Sequence, residues 1–100
     1  MKTKNAAAID SDLSNLRIDK LLWFLRFAGN RAMAKKLANT GHVRLNGRRV
    51  GRAHMMVRQG DILTIPQGRE VHVIRITVLP QHRGSAPDAH SCFERLSVGE

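Results

Sequence analysis

The sequence predicts a small α+β domain: two short N-terminal helices packed on an antiparallel sheet of about four to five strands. Three observations carry this. Apolar residues recur at helical spacing from Arg17 to about residue 40. After Gly41 the period changes to two, as strands require. Turn-forming residues punctuate the chain at "AGN", Gly41, "NG" at 46–47 and Gly60-Asp61. Helices followed by a run of strands is the α+β order, and 100 residues suffice for one such domain.

Residues 1–16 are polar and Ala-rich without a period, and read as a flexible leader; the domain is expected over 17–79. In the first helix Ile18, Leu21, Leu22 and Leu25 form one apolar stripe, widened by Trp23, Phe24 and Phe27. Gly29 is expected to stop it, and Asn30 to cap the next. The second helix runs from Arg31 to about residue 40. Ala34, Leu37 and Ala38 face the core, with Met33 adding to it, and Gly41 ends the helix.

"HVRLNGRRV" then reads as a hairpin with Asn46-Gly47 in a two-residue type I′ turn. Leu45 faces Arg48, Arg44 faces Arg49, and Val43 faces Val50. Residues 51–59 read as an irregular crossing segment with Met56 or Val57 plugging the core. Gly60-Asp61 is a turn, 62–65 a short strand, "PQGRE" a loop, and 71–79 the longest strand. The apolar phase shifts between Val73 and Ile74, which predicts a bulge or a strand buried on both faces. Residues 80–100 read as linker and short tail, with "HSCFERL" able to form one or two helical turns.

Charge is the most informative property. The formal net is +9, and residues 17–52 hold ten Lys/Arg against one acid, Asp19. The excess of the whole chain therefore sits in about a third of it, and the rest balances. A solvated surface mixes signs; this segregation is the footprint of a polyanion partner, with nucleic acid favoured over an anionic membrane or an acidic protein.

Two constellations make up the basic segment. Arg17, Lys20, Arg31, Lys35 and Lys36 lie on the helices, with Arg26 beside the first. Arg44, Arg48 and Arg49 surround Asn46 on the hairpin, and Arg52 follows. Arg44 directly opposite Arg49 should repel, which bound phosphate would relieve. One arginine would suffice to protect a sheet edge, so edge protection alone does not explain the pair. Trp23, Phe24 and Phe27 could stack bases, but their helical spacing assigns the two phenylalanines to the core. Asp19 reads as a first-turn helix charge or the partner of a nearby arginine.

Other chemistry finds no footing in the sequence. No apolar run approaches the roughly 20 residues of a membrane span, and the first residues do not resemble a secretory signal. Cys92 is the sole cysteine, so a disulfide framework is excluded and a reducing cytoplasm is expected. The five histidines show no metal-ligand spacing, and His42 and His54 read as exposed loop residues. "GRRVGR" lacks the phosphate-loop pattern. No catalytic motif stands out, so no enzyme, cofactor, metal or small-molecule substrate is expected.

The run "RIDKLLWFLRFAGNRAMAKKLANTGHVRLNGRRV", followed by "VRQGDILTI", resembles the RNA-binding domain of ribosomal protein S-four. That pattern has an Arg-aliphatic-Asp opening, here Arg17-Ile18-Asp19, then an apolar helix and a basic one. Gly-x-Val-x-x-Asn-Gly follows at 41–47, and a later Gly-Asp, here Gly60-Asp61, precedes a strand. The likeness covers residues 17 to about 66. Asp19-Lys20, Trp23, "RF" at 26–27 and "NRA" at 30–32 are similar to the heat-shock-protein-fifteen branch of small stand-alone bacterial proteins. The resemblance implies a helix-helix-hairpin surface bearing Arg17, Lys20, Arg31, Lys35, Arg44, Asn46 and Arg48, with Asn46 and Gly47 shaping the turn. It implies a ribosome-associated protein that binds ribosomal RNA of the large subunit, in assembly or in rescue of stalled subunits; a monomer is expected. An accessory module of an RNA-modifying enzyme and a winged-helix DNA binder remain as alternatives.

Overall fold

A computed structural model describes residues 14–96. The elements in order are β1 (Asn15–Arg17), α1 (Ile18–Phe24), α2 (Arg31–Ala38), β2 (Arg44–Leu45), β3 (Arg48–Arg49), β4 (Met56–Arg58), β5 (Ile62–Gln67), β6 (Glu70–Ile76), α3 (Ala86–His90) and β7 (Phe93–Arg95). Five strands form an antiparallel sheet in the order β3-β2-β5-β6-β7, and β1 pairs with β4 as a separate ribbon. The expected α+β architecture is the one found. Most of the expected leader lies outside the described residues, but its end, Asn15 and Leu16, belongs to β1.

The stripe of α1 is the centre of the core. Ile18, Leu21 and Leu22 are fully buried, as are Leu63, Ile65, Ile74 and Ile76 from the sheet and Val43 and Val50 from the hairpin. Each such side chain contributes about 1.5–3 kcal/mol through removal from water. Phe24 and Phe27 are buried in keeping with their spacing, and Trp23 packs half-buried at the margin.

The stop of α1 is not Gly29. The chain turns at Arg26, whose φ is +69°. Arg26 N–H donates to the Trp23 carbonyl (3.0 Å) and Phe27 N–H to the Leu22 carbonyl (2.9 Å). These two bonds define a Schellman ending, with Arg26 in the left-handed position that glycine usually fills. Phe27 and Leu22, the residues such an ending brings together, share the core. Gly29 comes three residues too late to serve.

Asn30 caps α2 as expected, its side chain accepting from Met33 N–H at 2.8 Å. Ala34 and Ala38 are fully buried and let α2 lie close on α1. Met33 does not join the core: it stands about 100° round the helix from Ala34 and is 57% exposed.

The hairpin has the expected register, Arg44 against Arg49 and Leu45 against Arg48, closed by Val50 N–H to the Val43 carbonyl. Asn46 and Gly47 have φ of +52° and +83°, the left-handed pair a type I′ turn needs. Four other expectations need correction. The segment 51–59 is not wholly irregular, since β4 pairs with β1 and Val57, not Met56, plugs the core. "PQGRE" is no loop: β5 and β6 continue through it to a tight turn at Gly68-Arg69. The β5–β6 register runs one-to-one without a bulge, because the inward set is His72, Ile74 and Ile76, while Val71 is exposed. Strand β6 also ends at Ile76 rather than 79.

Residues 80–96 are not a free linker. Arg83 Nε donates to the Trp23 carbonyl (3.1 Å), and Arg26 Nη1 to the Gly84 carbonyl (2.6 Å). Ser85 and Asp88 cap α3 reciprocally, with Pro87 in its first turn. Ala89, Cys92 and Phe93 enter the core. The helical turns expected over "HSCFERL" are the end of α3 followed by β7, which pairs with β6.

Candidate nucleic-acid interface

Backbone contacts stitch the basic segment into one body. At the start of α1, Ile18 N–H donates to the Met55 carbonyl (2.8 Å) and Asp19 N–H to the Ala53 carbonyl (3.1 Å). At the end of α2, Asn39 Oδ1 accepts Ala53 N–H at 3.0 Å. The chain that leaves the hairpin is thus held by both helices, with exposed Arg52 adjoining Ala53. Gly41, at φ +83°, lies beneath Arg49: a Cβ there would sit 3.7 Å from Arg49 Cδ. The hairpin therefore crosses just beyond α2, whose last turn carries exposed Lys35 and Lys36.

Arg44, Arg48 and Arg49 are exposed, and Arg44 Nη1 reaches the Gly47 carbonyl at 3.2 Å. Among the described residues, ion pairs involve Arg17, Arg31, His72 and Arg75, so the hairpin arginines, Arg52, Lys35 and Lys36 have no acidic partner within salt-bridge distance. This leaves their charge available to an external anion.

Asp19 is the exception to the positive surface. It is 1% exposed, takes Arg17 Nη2 at 2.8 Å and Nε at 3.2 Å, and lies 3.7 Å from Arg31 Nη2. Lys20 N–H also donates to it at 2.7 Å. Lys20 itself is half-buried, with Nζ 5.5 Å from the Phe24 ring, beside a shallow cleft lined by Leu16, Leu79 and Pro80.

Two residues expected in the surface are engaged by the fold. Arg26 is bonded to Gly84, in the C-terminal segment. Asn46 donates from Nδ2 to Asp61 Oδ1 (3.1 Å) and accepts Ile62 N–H on Oδ1 (2.8 Å), which pins the turn to β5. Periodicity missed exposed Met33, within one turn of Arg31, Lys35 and Lys36. His42 and His54 are exposed, and no group of three or more metal-ligating side chains occurs among the described residues.

The S4 domain model matches residues 16–63. The heat shock protein 15 homolog of Haemophilus influenzae is 34% identical over 79 residues, covering 79% of this chain and 60% of the relative. The Aeromonas salmonicida homolog is 31% identical, covering 85% and 64%. Small ribosomal subunit protein uS4 of Kosmotoga olearia is 39% identical over 57 residues, only 27% of its length. The solved structure of heat shock protein 15 from Vibrio cholerae, described as trimeric, aligns with a TM-score of 0.78 at 30% identity, covering 83% of each chain.

The chain belongs to the heat shock protein 15 family of S4-domain proteins. It spans about 60% of the length of the Haemophilus relative. All ten basic residues of the 17–52 segment lie inside the S4 match, whereas β6, α3 and β7 lie beyond it. The likeness to the Vibrio heat shock protein 15 covers far more of the chain than the S4 match alone. No helix among the described residues of this family member is long and apolar enough to cross a membrane.

Proposed function

We propose that this chain binds structured RNA without catalysing a reaction, and that its target is ribosomal RNA of the large subunit. The observation that carries the reading is the unpaired positive charge on α2, the hairpin and Arg52, drawn from a segment with ten bases and one acid. Arginine forks match phosphate oxygens, and a two-stranded hairpin is narrow enough to enter a groove. The relative named for the small ribosomal subunit supports a ribosomal setting, and in this reading the chain acts in the cytoplasm, in subunit assembly or in rescue of stalled subunits. The binding unit is the single chain.

Contact with about 6–10 phosphates predicts that affinity falls by roughly 10³–10⁵ between 50 and 200 mM salt. Filter binding to purified bacterial large-subunit ribosomal RNA measures this. A flat salt profile would remove the electrostatic reading. The double variant Arg44→Glu, Arg49→Glu should lose affinity while keeping its melting profile, and unchanged affinity would exclude the hairpin. Sedimentation through a ribosome gradient tests the target: co-migration with large subunits is expected, and migration apart from all ribosomal particles would contradict it. Analytical ultracentrifugation of the free protein separates a monomer from the trimer described for the Vibrio relative.

A further inference from the structure

Asp19 is the one acid within the basic segment, and it is buried. Its carboxylate is surrounded by donors. Arg17 binds both oxygens through Nε and Nη2, Lys20 N–H binds Oδ1, and Arg31 Nη2 stands 3.7 Å from the same oxygen. The two arginines come from separate elements. Arg17 ends β1, and Arg31 opens α2 directly after its cap, Asn30. Each keeps 44% of its side chain exposed, whereas the Asp19 side chain keeps 2%. Arg17 spends the Nε–Nη2 edge of its guanidinium on Asp19, and its Nη1 makes no hydrogen bond or ion pair among the described residues.

We infer that Asp19 is a positioning residue for RNA. It holds Arg17 and Arg31 together so that their outer edges engage one phosphate. This rests on the RNA-binding reading above and adds a role for the acid. Two guanidiniums gathered at one carboxylate repel each other, and each alone samples many rotamers. A buried carboxylate between them removes the repulsion and fixes both forks before a phosphate arrives. The cost is one unit of positive charge; the gain is that less side-chain freedom is lost on binding.

The two effects predict opposite signs. By charge alone, Asp19→Asn makes the surface more positive and should tighten RNA binding. By positioning, it should weaken binding, because the amide no longer anchors two cations. The expected result is a three- to tenfold weaker Kd for large-subunit ribosomal RNA, with the protein still folded by circular dichroism at the assay temperature. Arg31→Gln should weaken wild type several-fold and Asp19→Asn much less, since the two act as a unit. Equal or tighter binding by folded Asp19→Asn overturns the inference, as do losses that multiply independently.

Should Asp19→Asn fail to fold, Arg31→Lys decides. It keeps the charge and leaves Arg17 and Asp19 in place. Positioning predicts weaker binding at an unchanged melting temperature, and unchanged binding overturns it. Wild-type binding separates the two levels. If wild type ignores RNA, the functional reading falls and takes this inference with it. If wild type binds and the variants match it, this inference alone falls.

Discussion

Replacing Asn46 tests whether that residue serves the fold or the ligand. Its amide makes two hydrogen bonds from the hairpin turn to the start of β5, to Asp61 Oδ1 and from Ile62 N–H. Asp61 in turn accepts Arg58 N–H on its other oxygen (2.8 Å), so the contact ties the turn to the end of β4. Asn46 also holds φ at +52°. Each solvent-accessible hydrogen bond contributes about 0.5–1 kcal/mol, at the low end of the range for such bonds. Placing alanine in the left-handed region adds about 1 kcal/mol. Asn46→Ala should therefore cost about 2–3 kcal/mol, taking the terms together. For a domain this size that lowers Tm by roughly 10–20 °C. Asn46→Gly restores the backbone freedom and should recover about 1 kcal/mol of the loss. Thermal denaturation by circular dichroism gives both values, and RNA titration well below the transition gives the affinity of the folded fraction, expected within about twofold of wild type. A variant with wild-type stability that fails to bind RNA would refute the structural assignment and make Asn46 a direct contact.

Three further substitutions probe the arrangement. Arg49→Glu places a carboxylate opposite Arg44, so urea denaturation should show stability equal to wild type or higher by about 0.2–1 kcal/mol, while RNA affinity falls; a destabilised hairpin would contradict the cross-strand repulsion. Arg26→Gly relieves the left-handed residue but removes the bond to Gly84; global stability should change by less than about 1 kcal/mol, and limited proteolysis should cut residues 80–85 faster. Ala38→Leu forces a larger side chain between α1 and α2, and should destabilise by about 1–3 kcal/mol, measured as a lower urea midpoint; no change would mean that the helices can part without cost.

The parts of the fold legible in the sequence are those governed by short-range rules. The helical stripe of α1, the Asn30 cap and the Asn46-Gly47 turn with its register all follow from patterns spanning a few residues. What local pattern could not supply was pairing at a distance. Strand β4 exists because β1 lies beside it, and "MVR" carries no alternation long enough to announce a strand. Strand β7 likewise depends on β6. By sequence Arg26 is one more basic residue of the segment, because its left-handed backbone and its bond to Gly84 are tertiary properties. Ser85-Ala-Pro-Asp88 does carry a local signal for α3, the capping-box spacing with proline in the first turn. The charge map locates the basic segment along the chain. It could not distinguish Arg17 and Arg31, gathered around Asp19, from the unpaired arginines of the hairpin.

The clasp between α1 and the C-terminal segment bears on how the protein is made. Arg26 and Arg83 bond to carbonyls 58 and 60 residues away. Ala89, Cys92 and Phe93 complete a core that the helices begin. During synthesis, α1 and α2 emerge from the ribosome well before residues 83–93, so the apolar groups that await Ala89 and Phe93 stay uncovered until those residues follow. Local helices and the tight hairpin can form early, whereas closure of the core waits for its most distant contacts. A nascent chain arrested before residue 83 would therefore carry the basic surface on an unfinished core.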